Sequence, residues 1–410
     1  MTAQPPSTAT PATTAPSLLI VATIAGTIGG FLAPYARHFR SLGWRVEAAA
    51  SDATTDPGLR DLFDEVHDLP LSRSIRDVRG LMRARHALKQ VLERPPDIVH
   101  VHTPIAGFLT RFVVRGLPAE RRPAIAYTAH GFHFHAAGNA LTNAAFLTAE
   151  RIAGRWTDRL IVISDEDEAA ARRYRIVPSR RLVHMPGIGV DTRYYAPLAI
   201  PADAPIAFRR DLGVPAAAPL FAIVGELNRN KRPEDAIAAL AAMRQPGAHL
   251  VLAGRGPTRA ALEAQARAGG VSDRVHFLGE VDDIRPVVRA ATALLLLSTR
   301  EGLARSVMEA LSLEVPVIAS TARGNRELLG SDRGLVFETG DIGELARAMD
   351  WMVEHPDERR QMGLRGRARM AERYDVGLLL RMHEDLYRGM LGGGDVVRAR
   401  PHPAEGPPGS

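Results

Sequence analysis

The segment Ala293–Ser320 reads ALLLLSTREGLARSVMEALSLEVPVIAS, and it decides the fold. It opens with an apolar run, ALLLLS, and passes through a polar turn into an amphipathic stretch before a second apolar run, PVIAS. Short apolar runs of this kind are typical of buried strands, and the stretch between them has helical length and spacing. A strand, a helix and a strand in this order predict two parallel strands in one sheet.

The same alternation extends along the chain. In the first half the apolar runs are LLIVAT, WRVEAAAS, DIVHVH, AIAYTA, RLIVIS and RLVHMP, and in the second they are LFAIVGE, HLVLAG, VHFLG, ALLLLS, PVIAS and GLVFE. Stretches of helical length separate these runs, which predicts parallel sheets covered by helices. We therefore expect an α/β protein built from two tandem units.

Composition shifts mark the predicted boundaries. Residues 196–205 (APLAIPADAP) are the predicted hinge, because closely spaced prolines restrict the chain without favouring helix or strand. This places one domain at 17–195 and a second at 206–373. Residues 1–16 and 393–410 are predicted to be disordered tails, since they lack the apolar content to join a core.

The composition of the 410 residues narrows the class of protein. The absence of cysteine excludes disulfides, Cys-ligated zinc or iron–sulfur sites and thiol catalysis. Contents of 46% hydrophobic and 24% charged residues are those of a soluble globular protein. The net charge of +6 favours anionic partners. Nucleic acid is not expected among them, because three Trp and seven Tyr offer little stacking surface and no binding module is recognised.

The apolar stretch Ser17–Ala36 (SLLIVATIAGTIGGFLAPYA) could in principle be a membrane segment or part of the protein core. No basic residue precedes it, and three glycines and one proline interrupt it. A signal peptide has basic residues before its apolar core, and a membrane-spanning helix needs about 20 predominantly apolar residues in a row. The stretch is therefore predicted to be a strand, a loop and the start of a helix in a cytoplasmic protein.

A glycine-rich turn, GTIGG, follows the first predicted strand. Glycine lets backbone amides approach an anion closely, so Gly29 and Gly30 are candidates for a phosphate-binding loop. The spacing fails the G-x-G-x-x-G fingerprint, although Asp52 after the second strand imitates the ribose-binding acid of nicotinamide enzymes. An NAD-binding oxidoreductase and a tight turn without a ligand both remain as alternatives.

Histidines and acids in the first half raise the question of a metal site. His100 and His102 alternate on a predicted strand and would share a face, but no HExxH motif or carboxylate follows at ligand spacing. His130, at a strand end in TAHGF, is instead a candidate hydrogen-bonding residue.

Residues 165–167 (DED) match the D-x-D pattern that holds a metal ion on a nucleotide diphosphate. Their position after a strand favours acids in a first helical turn, capped by Ser164 or by the first acid.

Two segments in the second half carry more specific chemistry. VGELNRNK follows a strand and offers Lys231 as a phosphate contact, the alternative being a solvated surface lysine. In STREGLARSVMEAL, seven residues separate Glu301 from Glu309. Apolar residues surround Glu309, so its carboxylate needs donors, and a cis-diol supplies two hydroxyls. The alternative is that Glu309 lies on a narrow wet stripe of its helix.

In this order the motifs resemble the retaining glycosyltransferases of sequence family 4. The strongest element is the E-x7-E pair in STREGLARSVMEA, and GTIGG, DIVHVH, TAHGF, VISD, PGIGVD, VGELNRNK, AGRGP, FLGEV, RGNRELL and GLVF occur in family order over about residues 17–392. The resemblance implies a GT-B fold, an α/β architecture of two facing Rossmann-like domains with parallel sheets and an interdomain cleft. It also implies a C-terminal helix at 374–392 that crosses back to the N-terminal domain. TAHGFHF, VGELN and RGNRELL resemble the branch that builds capsular, exopolysaccharide and other envelope glycans.

The resemblance implies roles for individual residues. Glu309 would hold the ribose hydroxyls of a nucleotide sugar, Glu301 would contact the transferred sugar, and Lys231 would bind the diphosphate. His130 would lie beside the sugar and the leaving group. The other implied contacts are backbone amides of Gly302, Leu303 and Ala304 at the diphosphate, Glu280 and Val281 near the base, and Gly29 and Gly30 at the acceptor or diphosphate.

Three positions depart from the family pattern. Glu226 stands where many members have arginine, Glu314 stands where glycine is usual, and Arg305 occupies a place that is often apolar. The first departure removes one of two usual diphosphate cations, and Arg305 is a candidate replacement. No metal or other cofactor is implied.

The implied reaction is transfer of a hexose or N-acetylhexosamine from a UDP-sugar to a lipid-linked or polysaccharide acceptor. A glycosyltransferase with a soluble acceptor, such as a secondary metabolite, is the nearest alternative. The segment Ser72–Arg94 has seven basic residues, with apolar residues near helical spacing. Such a helix either lies on an anionic membrane or packs its apolar face on the sheet.

Overall fold

The computed structural model describes residues 15–72, 77–134, 139–322 and 324–392. Strands in these ranges form two sheets. They are β1 Ser17–Ile24, β2 Arg45–Ser51, β3 Glu65–Asp68, β4 Ile98–His102, β5 Ala124–Ala129, β6 Arg159–Val162, β7 Leu182–His184, β8 Leu220–Val224, β9 His249–Ala253, β10 Val275–Gly279, β11 Ala293–Leu296, β12 Val317–Ser320 and β13 Gly334–Phe337.

Helices alternate with the strands along the chain. The α-helices in the described ranges are α1 Ala25–Thr27, α2 Ala33–Ser41, α3 Pro57–Leu62, α4 Val78–Val91, α5 Pro104–Arg115, α6 Ala140–Gly154, α7 Asp165–Arg173, α8 Ala204–Asp211, α9 Pro233–Ala242, α10 Arg259–Ala268, α11 Arg285–Arg289, α12 Arg305–Ser312, α13 Asn325–Leu329, α14 Ile342–Glu354, α15 Pro356–Arg369 and α16 Val376–Leu391.

The strand order is β3-β2-β1-β4-β5-β6-β7 in the first sheet and β10-β9-β8-β11-β12-β13 in the second. Every pairing in the second sheet is parallel, as the intervening helices require. The direction of winding reverses between β1 and β4 and again between β8 and β11. This is the order of doubly wound nucleotide-binding sheets. The predicted α/β class with two parallel sheets is confirmed.

All twelve predicted apolar runs are strands, and sequence analysis missed only β3 within the described ranges. That strand reads EVHD and lies at the edge of its sheet, with both end residues exposed. A short edge strand carries charged side chains and lacks a buried face on both sides. Apolar periodicity therefore gave no signal for it.

The continuous apolar run in β11 reflects burial on both faces of the second sheet. Leu294 and Leu296 pack in the same core cluster as Val307 and Leu311. Leu295, on the opposite face, packs in the cluster that includes residues of α9. A parallel strand covered by helices on both sides is apolar at every position, and not at alternate ones.

Contacts group the chain into two compact units. The first takes in the described residues of 1–127, 152–159 and 382–410, and the second those of 128–151 and 160–381.

The predicted hinge and the C-terminal helix can be assigned to these units. Residues 196–205, the predicted hinge, lie inside the second unit and contain a 3-10 turn, Pro197–Ala199. The C-terminal helix α16 begins among residues of the second unit and ends among residues of the first.

The predicted glycine-rich turn after β1 is wrong, because the chain is helical from Ala25 onward. Residues Ile28–Leu32 form one π-helical turn between α1 and α2. Ile28 and Leu32 are fully buried and anchor this turn to the core. A Cβ atom on Gly29 would make only ordinary contact, 3.6 Å from Leu59, and one on Gly30 would meet nothing within 4 Å. Neither position requires glycine for the fold.

The basic helix is shorter than the predicted 72–94. It is α4, which starts after the N-cap Asp77, and residues 73–76 lie outside the described ranges. Its buried residues are Gly80, Ala84 and Leu88. Val78 and Met82, two of the apolar residues near helical spacing, are 65% and 57% exposed. No helix in the described part of the chain is long and apolar enough to cross a membrane.

Candidate functional site

The candidate site lies at the carboxyl ends of β8 and β11, which are parallel neighbours at the centre of the second sheet. The loop after β8 leads through Lys231 into α9, and the loop after β11 leads through Glu301 into α12. Ligands of doubly wound sheets bind at the point where the strand order reverses, because two neighbouring loops diverge there. Both predicted charged residues therefore come from the two loops at this point.

Asn230 ties these two loops together. Its side-chain Nδ2 donates to the Arg300 carbonyl at 3.1 Å, and its Oδ1 accepts from the Thr299 hydroxyl at 2.9 Å. The Thr299 backbone amide also donates to the Asn230 carbonyl at 2.9 Å. The relative position of the two loops is thus fixed by three hydrogen bonds.

Lys231 and Glu301 meet across the joined loops. The Lys231 Nζ donates to the Glu301 Oε1 at 2.5 Å, with the side chains 25% and 14% exposed. The Lys231 backbone amide donates to the Asn228 Oδ1 at 3.0 Å, which holds the start of the lysine in place. The lysine is therefore a half-buried, ion-paired residue, and the predicted alternative of a fully solvated surface lysine is wrong.

Glu309 lies one helical turn after the start of α12 and is only 5% exposed. The Arg305 Nε donates to its Oε1 at 2.7 Å, four residues earlier on the same helix. Burial raises the pKa of Glu309, and interactions with Arg305 and with the Tyr195 side chain oppose that rise. Glu309 is thus a buried carboxylate paired with Arg305, and the wet-stripe alternative is wrong.

The segment between Glu301 and α12 packs tightly against neighbouring backbone. A Cβ atom on Gly302 would lie 2.8 Å from the His130 carbonyl oxygen, so only glycine fits there. Leu303 and Ala304 are buried, and Ala304 caps α12 without a side-chain hydrogen bond. The structure therefore brings the backbone of His130 against the loop that carries Glu301.

The His130 side chain is held neutral. Burial lowers its pKa to about 4. At neutral pH its ring is therefore a hydrogen-bonding group without a charge.

The remaining predicted site residues come from other segments of the chain. Glu280 is exposed and pairs with Arg255, the Nε to Oε2 distance being 3.6 Å, while Val281 is half-buried. Gly29 and Gly30 belong to the first unit. In that unit, the corresponding reversal point between β1 and β4 carries a hydroxyl pair, Thr23 and Thr103, with 2.7 Å between their Oγ1 atoms.

The acidic segment 165–167 is confirmed as the first turn of a capped helix. The Ser164 hydroxyl accepts from the Asp167 amide at 3.2 Å.

Two clusters in the described ranges each bring three potential metal-ligand atoms within 4.8 Å of one another. The first consists of Glu47, Glu65 and His67, and the second of Asp165, His184 and Glu327. Ion-pair partners already occupy both groups. Arg45 pairs with both glutamates of the first, and the Arg373 guanidinium lies 3.9 Å from Asp165 and 4.0 Å from Glu327 in the second.

Sequence analysis missed Asn230 and Tyr195. Asn230 lies inside the quoted motif VGELNRNK, but its cross-loop bonds depend on which strand is the neighbour of β8. Tyr195 precedes Glu309 by more than a hundred residues, so no spacing connects them. Only the folded chain places these two side chains at the site.

Comparisons with known proteins agree with this architecture. Residues 26–187 match the family described as "Glycosyl transferase 4-like domain", and residues 206–369 match "Glycosyl transferases group 1". The "Putative glycosyltransferase EpsD" of Bacillus subtilis is 31% identical over 377 residues, which are 90% of this chain and 96% of the relative.

Two further proteins extend the comparison. The Escherichia coli "UDP-Gal:alpha-D-GlcNAc-diphosphoundecaprenol alpha-1,3-galactosyltransferase" is 27% identical over 281 residues, 67% of this chain and 70% of the relative. A crystal structure of Anabaena Alr3699/HepE in complex with UDP has the same fold, with a TM-score of 0.76 at 20% identity. It covers 91% of this chain and 100% of that one.

Proposed function

Because this chain belongs to the GT-B glycosyltransferases, we propose that it transfers a hexose or N-acetylhexosamine from a UDP-sugar to a lipid-linked or polysaccharide acceptor in envelope glycan synthesis. We propose further that the anomeric configuration is retained. The observation that carries the proposal is the ion pair of Lys231 and Glu301 on two neighbouring loops of one sheet, followed by the buried carboxylate of Glu309 on α12. Family membership also removes the NAD-binding oxidoreductase as an alternative.

The donor assignment follows from the chemistry of these groups. A nucleotide sugar presents a ribose diol, a diphosphate and a sugar ring. A buried carboxylate, Glu309, suits the diol because charge-assisted hydrogen bonds to hydroxyls offset the cost of its burial. Lys231 and the first amides of α12, which lack a side-chain cap, suit the diphosphate.

The catalytic assignment places Glu301 and His130 at the transferred sugar. Glu301 adjoins Lys231 and would accept hydrogen bonds from sugar hydroxyls. His130, with its pKa at about 4, is neutral and would bond to the sugar or the leaving oxygen without competing for the phosphate charge. Departure of the nucleoside diphosphate develops negative charge, so stabilisation of that charge by Lys231 and the helix amides would supply most of the rate enhancement.

The acceptor assignment has support from the relatives. The E. coli relative is named for transfer from UDP-Gal to a sugar on diphosphoundecaprenol, which is a lipid-linked acceptor. We propose a membrane-bound acceptor of this class for the present chain. A soluble acceptor would give a product that stays in water and does not partition into organic solvent, so lipid extraction of the labelled product distinguishes the two.

Calorimetric titration with UDP tests the proposed function. Glu309→Gln keeps the shape of the side chain but removes its charge, and we expect UDP to bind about 10 to 100 times more weakly, equivalent to about 1 to 3 kcal/mol. Glu263→Gln, on the exposed face of α10 and paired with Arg259, is the matched control. Unchanged affinity in a folded Glu309→Gln variant would contradict the assignment. A panel of UDP- and GDP-sugars, followed for hydrolysis, then identifies the donor.

We propose that transfer requires no divalent cation, since Lys231 and backbone amides supply the positive charge. The test compares activity in EDTA with activity in added magnesium or manganese. Complete loss with the chelator and recovery with metal would point to Asp165, His184 and Glu327 instead.

We also propose that α4 makes peripheral contact with an anionic membrane on the cytoplasmic face. Val78 and Met82 are exposed apolar side chains beside the exposed Arg79 and Arg83. Each arginine near the surface would contribute about 1 kcal/mol, weakened by salt. Reversal of both charges should abolish sedimentation with phosphatidylglycerol vesicles while UDP binding persists. Failure of the wild type to sediment at low salt would favour a soluble acceptor.

A further inference from the structure

We infer that Arg305 and Tyr195 are positioning residues for Glu309, and that they hold its carboxylate ionised and oriented toward the ribose diol of the donor. This inference rests on the proposed function, because it gives Glu309 a nucleotide to bind. It changes the expected role of Arg305, whose guanidinium is engaged with Glu309 in the structure.

The geometry at Arg305 supports the first half of the inference. Arg305 and Glu309 stand four residues apart on α12, a spacing that places their side chains on one face. Their contact is short, 2.7 Å from Nε to Oε1, and it reaches from a 38% exposed side chain to a 7% exposed one. A buried carboxylate without partners would take up a proton instead of keeping its charge. Arg305 therefore supplies the charge that lets Glu309 stay ionised inside the fold.

Tyr195 approaches from a different part of the second unit. It is 7% exposed, and its backbone amide donates to the Asp191 carbonyl at 2.9 Å. The Arg367 Nη1 donates to the Ser312 carbonyl at the end of α12 at 2.6 Å and to the Tyr195 carbonyl at 3.4 Å. The tyrosine is thus anchored to the helix that carries Glu309. Its side chain interacts with both Glu309 and Arg305, which act on the pKa of its hydroxyl in opposite directions, and it completes a three-membered polar cluster around the Arg305–Glu309 bond.

The electrostatics give this cluster a measurable signature. Among the described residues, the ionisable groups that act on the Glu309 carboxylate are Arg305, on its own helix, and Tyr195, which precedes α8. Burial raises the pKa of Glu309 and these two groups lower it. Because the ionised form binds the diol, UDP affinity should fall as the pH falls through that pKa. Loss of either partner raises the pKa further, so the same fall should occur at higher pH.

The experiment is calorimetric titration of the full chain with UDP between pH 5 and pH 8. We expect Tyr195→Phe to bind UDP about 3 to 10 times more weakly at pH 7, and Arg305→Gln about 10 times or more. In both variants the acid fall in affinity should move to higher pH. UDP itself takes up a proton near pH 6, but this contribution is common to every variant and cancels in the comparison.

Matched controls isolate the chemistry. Tyr194→Phe removes the hydroxyl of the neighbouring tyrosine, a residue that is 43% exposed, and Arg267→Gln removes an exposed arginine from α10. Both should match the wild type in affinity and in pH profile. Arg305→Lys keeps the charge without the planar fork, so it should restore most of the pH profile with partial recovery of affinity.

A double-mutant cycle separates positioning from a general structural role. In the Glu309→Gln background, which has no carboxylate to orient or ionise, Tyr195→Phe should cost no further UDP affinity. An equal loss in both backgrounds, or an unshifted pH profile in a folded Tyr195→Phe, would overturn the inference while leaving the proposed function intact. If Glu309→Gln binds UDP as the wild type does, the proposed function fails first.

Discussion

The two sheets have the same winding reversal, yet the loops at the two reversal points are built differently. Between β8 and β11 the loops are joined by charged and amide side chains, with Lys231 on Glu301 and Asn230 on Thr299. Between β1 and β4 the first unit has a helical start at Ala25 and a neutral hydroxyl pair. One topology thus carries two kinds of chemistry.

The difference teaches which part of a shared fold is specialised for charge. A half-buried ion pair in the second unit is costly to maintain unless it serves a ligand of matching charge. The first unit's reversal point has no such pair among its described residues, but it does contain Thr103 at a φ of +65°, an unfavourable backbone conformation for a β-branched residue. The charged groups proposed to bind the donor therefore lie in the second unit, and the reversal point of the first unit offers hydroxyl groups and backbone.

Lys231→Gln is the change with the largest expected effect on this contrast. Loss of the cation removes stabilisation of the departing diphosphate, so transfer should fall about 100 to 1,000 times. The rate of UDP release from the donor sugar measures it.

Lys89→Gln provides the control, because Lys89 is exposed on α4 and is the only other lysine in the sequence. Its transfer rate should equal that of the wild type. If a folded Lys231→Gln variant transferred sugar as fast as Lys89→Gln, charge at the second reversal point would have no catalytic role.

These two loops also show how much of the site the sequence could predict. Lys231, Glu301 and Glu309 were found because charged residues in apolar or strand-end surroundings are rare and need a partner. Asn230 and Tyr195 were not, because an amide and a phenol are common in any environment and their partners are set by tertiary structure. Twelve strands of the fold could be predicted from the sequence. A strand that is buried on both faces of a sheet is apolar at every position, so it is visible as a continuous apolar run.

The glycine-rich segment GTIGG is a case in which a local structure was predicted and the prediction was wrong. Glycine indicates only that many backbone conformations are accessible, and the packing of Ile28 and Leu32 selects a helical one. The sequence alone therefore could not decide between a turn and a helix.

A matched pair of glycine substitutions, one in each unit, compares the two reversal points through their effects on stability, which are expected to be smaller. Gly302→Ala places a Cβ atom 2.8 Å from the His130 carbonyl oxygen, so we expect the free energy of unfolding to fall by about 2 kcal/mol. Gly30→Ala meets nothing within 4 Å and replaces glycine in a helical turn, so stability should rise by up to about 1 kcal/mol. Urea denaturation measures both. Equal effects would mean that the two glycine positions are under the same steric constraint.

Glu301→Gln has the smallest expected effect on binding and tests how the charged loops operate. In the structure Lys231 donates to Glu301 at 2.5 Å, so the carboxylate competes with an incoming diphosphate for the same ammonium group. Removing its charge should release the lysine and tighten UDP binding about 3 to 10 times, a gain of about 1 kcal/mol. Transfer from the UDP-sugar should fall at the same time, because Glu301 would no longer accept from the sugar hydroxyls with a full charge.

These opposite signs in two measurements on one variant distinguish competition from simple damage. Glu263→Gln, which breaks the comparable Arg259 pair at 2.9 Å on α10, should change neither measurement. If a folded Glu301→Gln variant bound UDP more weakly than the wild type, Glu301 would be holding Lys231 in its binding position. The ion pair would then be a preorganised part of the diphosphate site that persists when the donor binds.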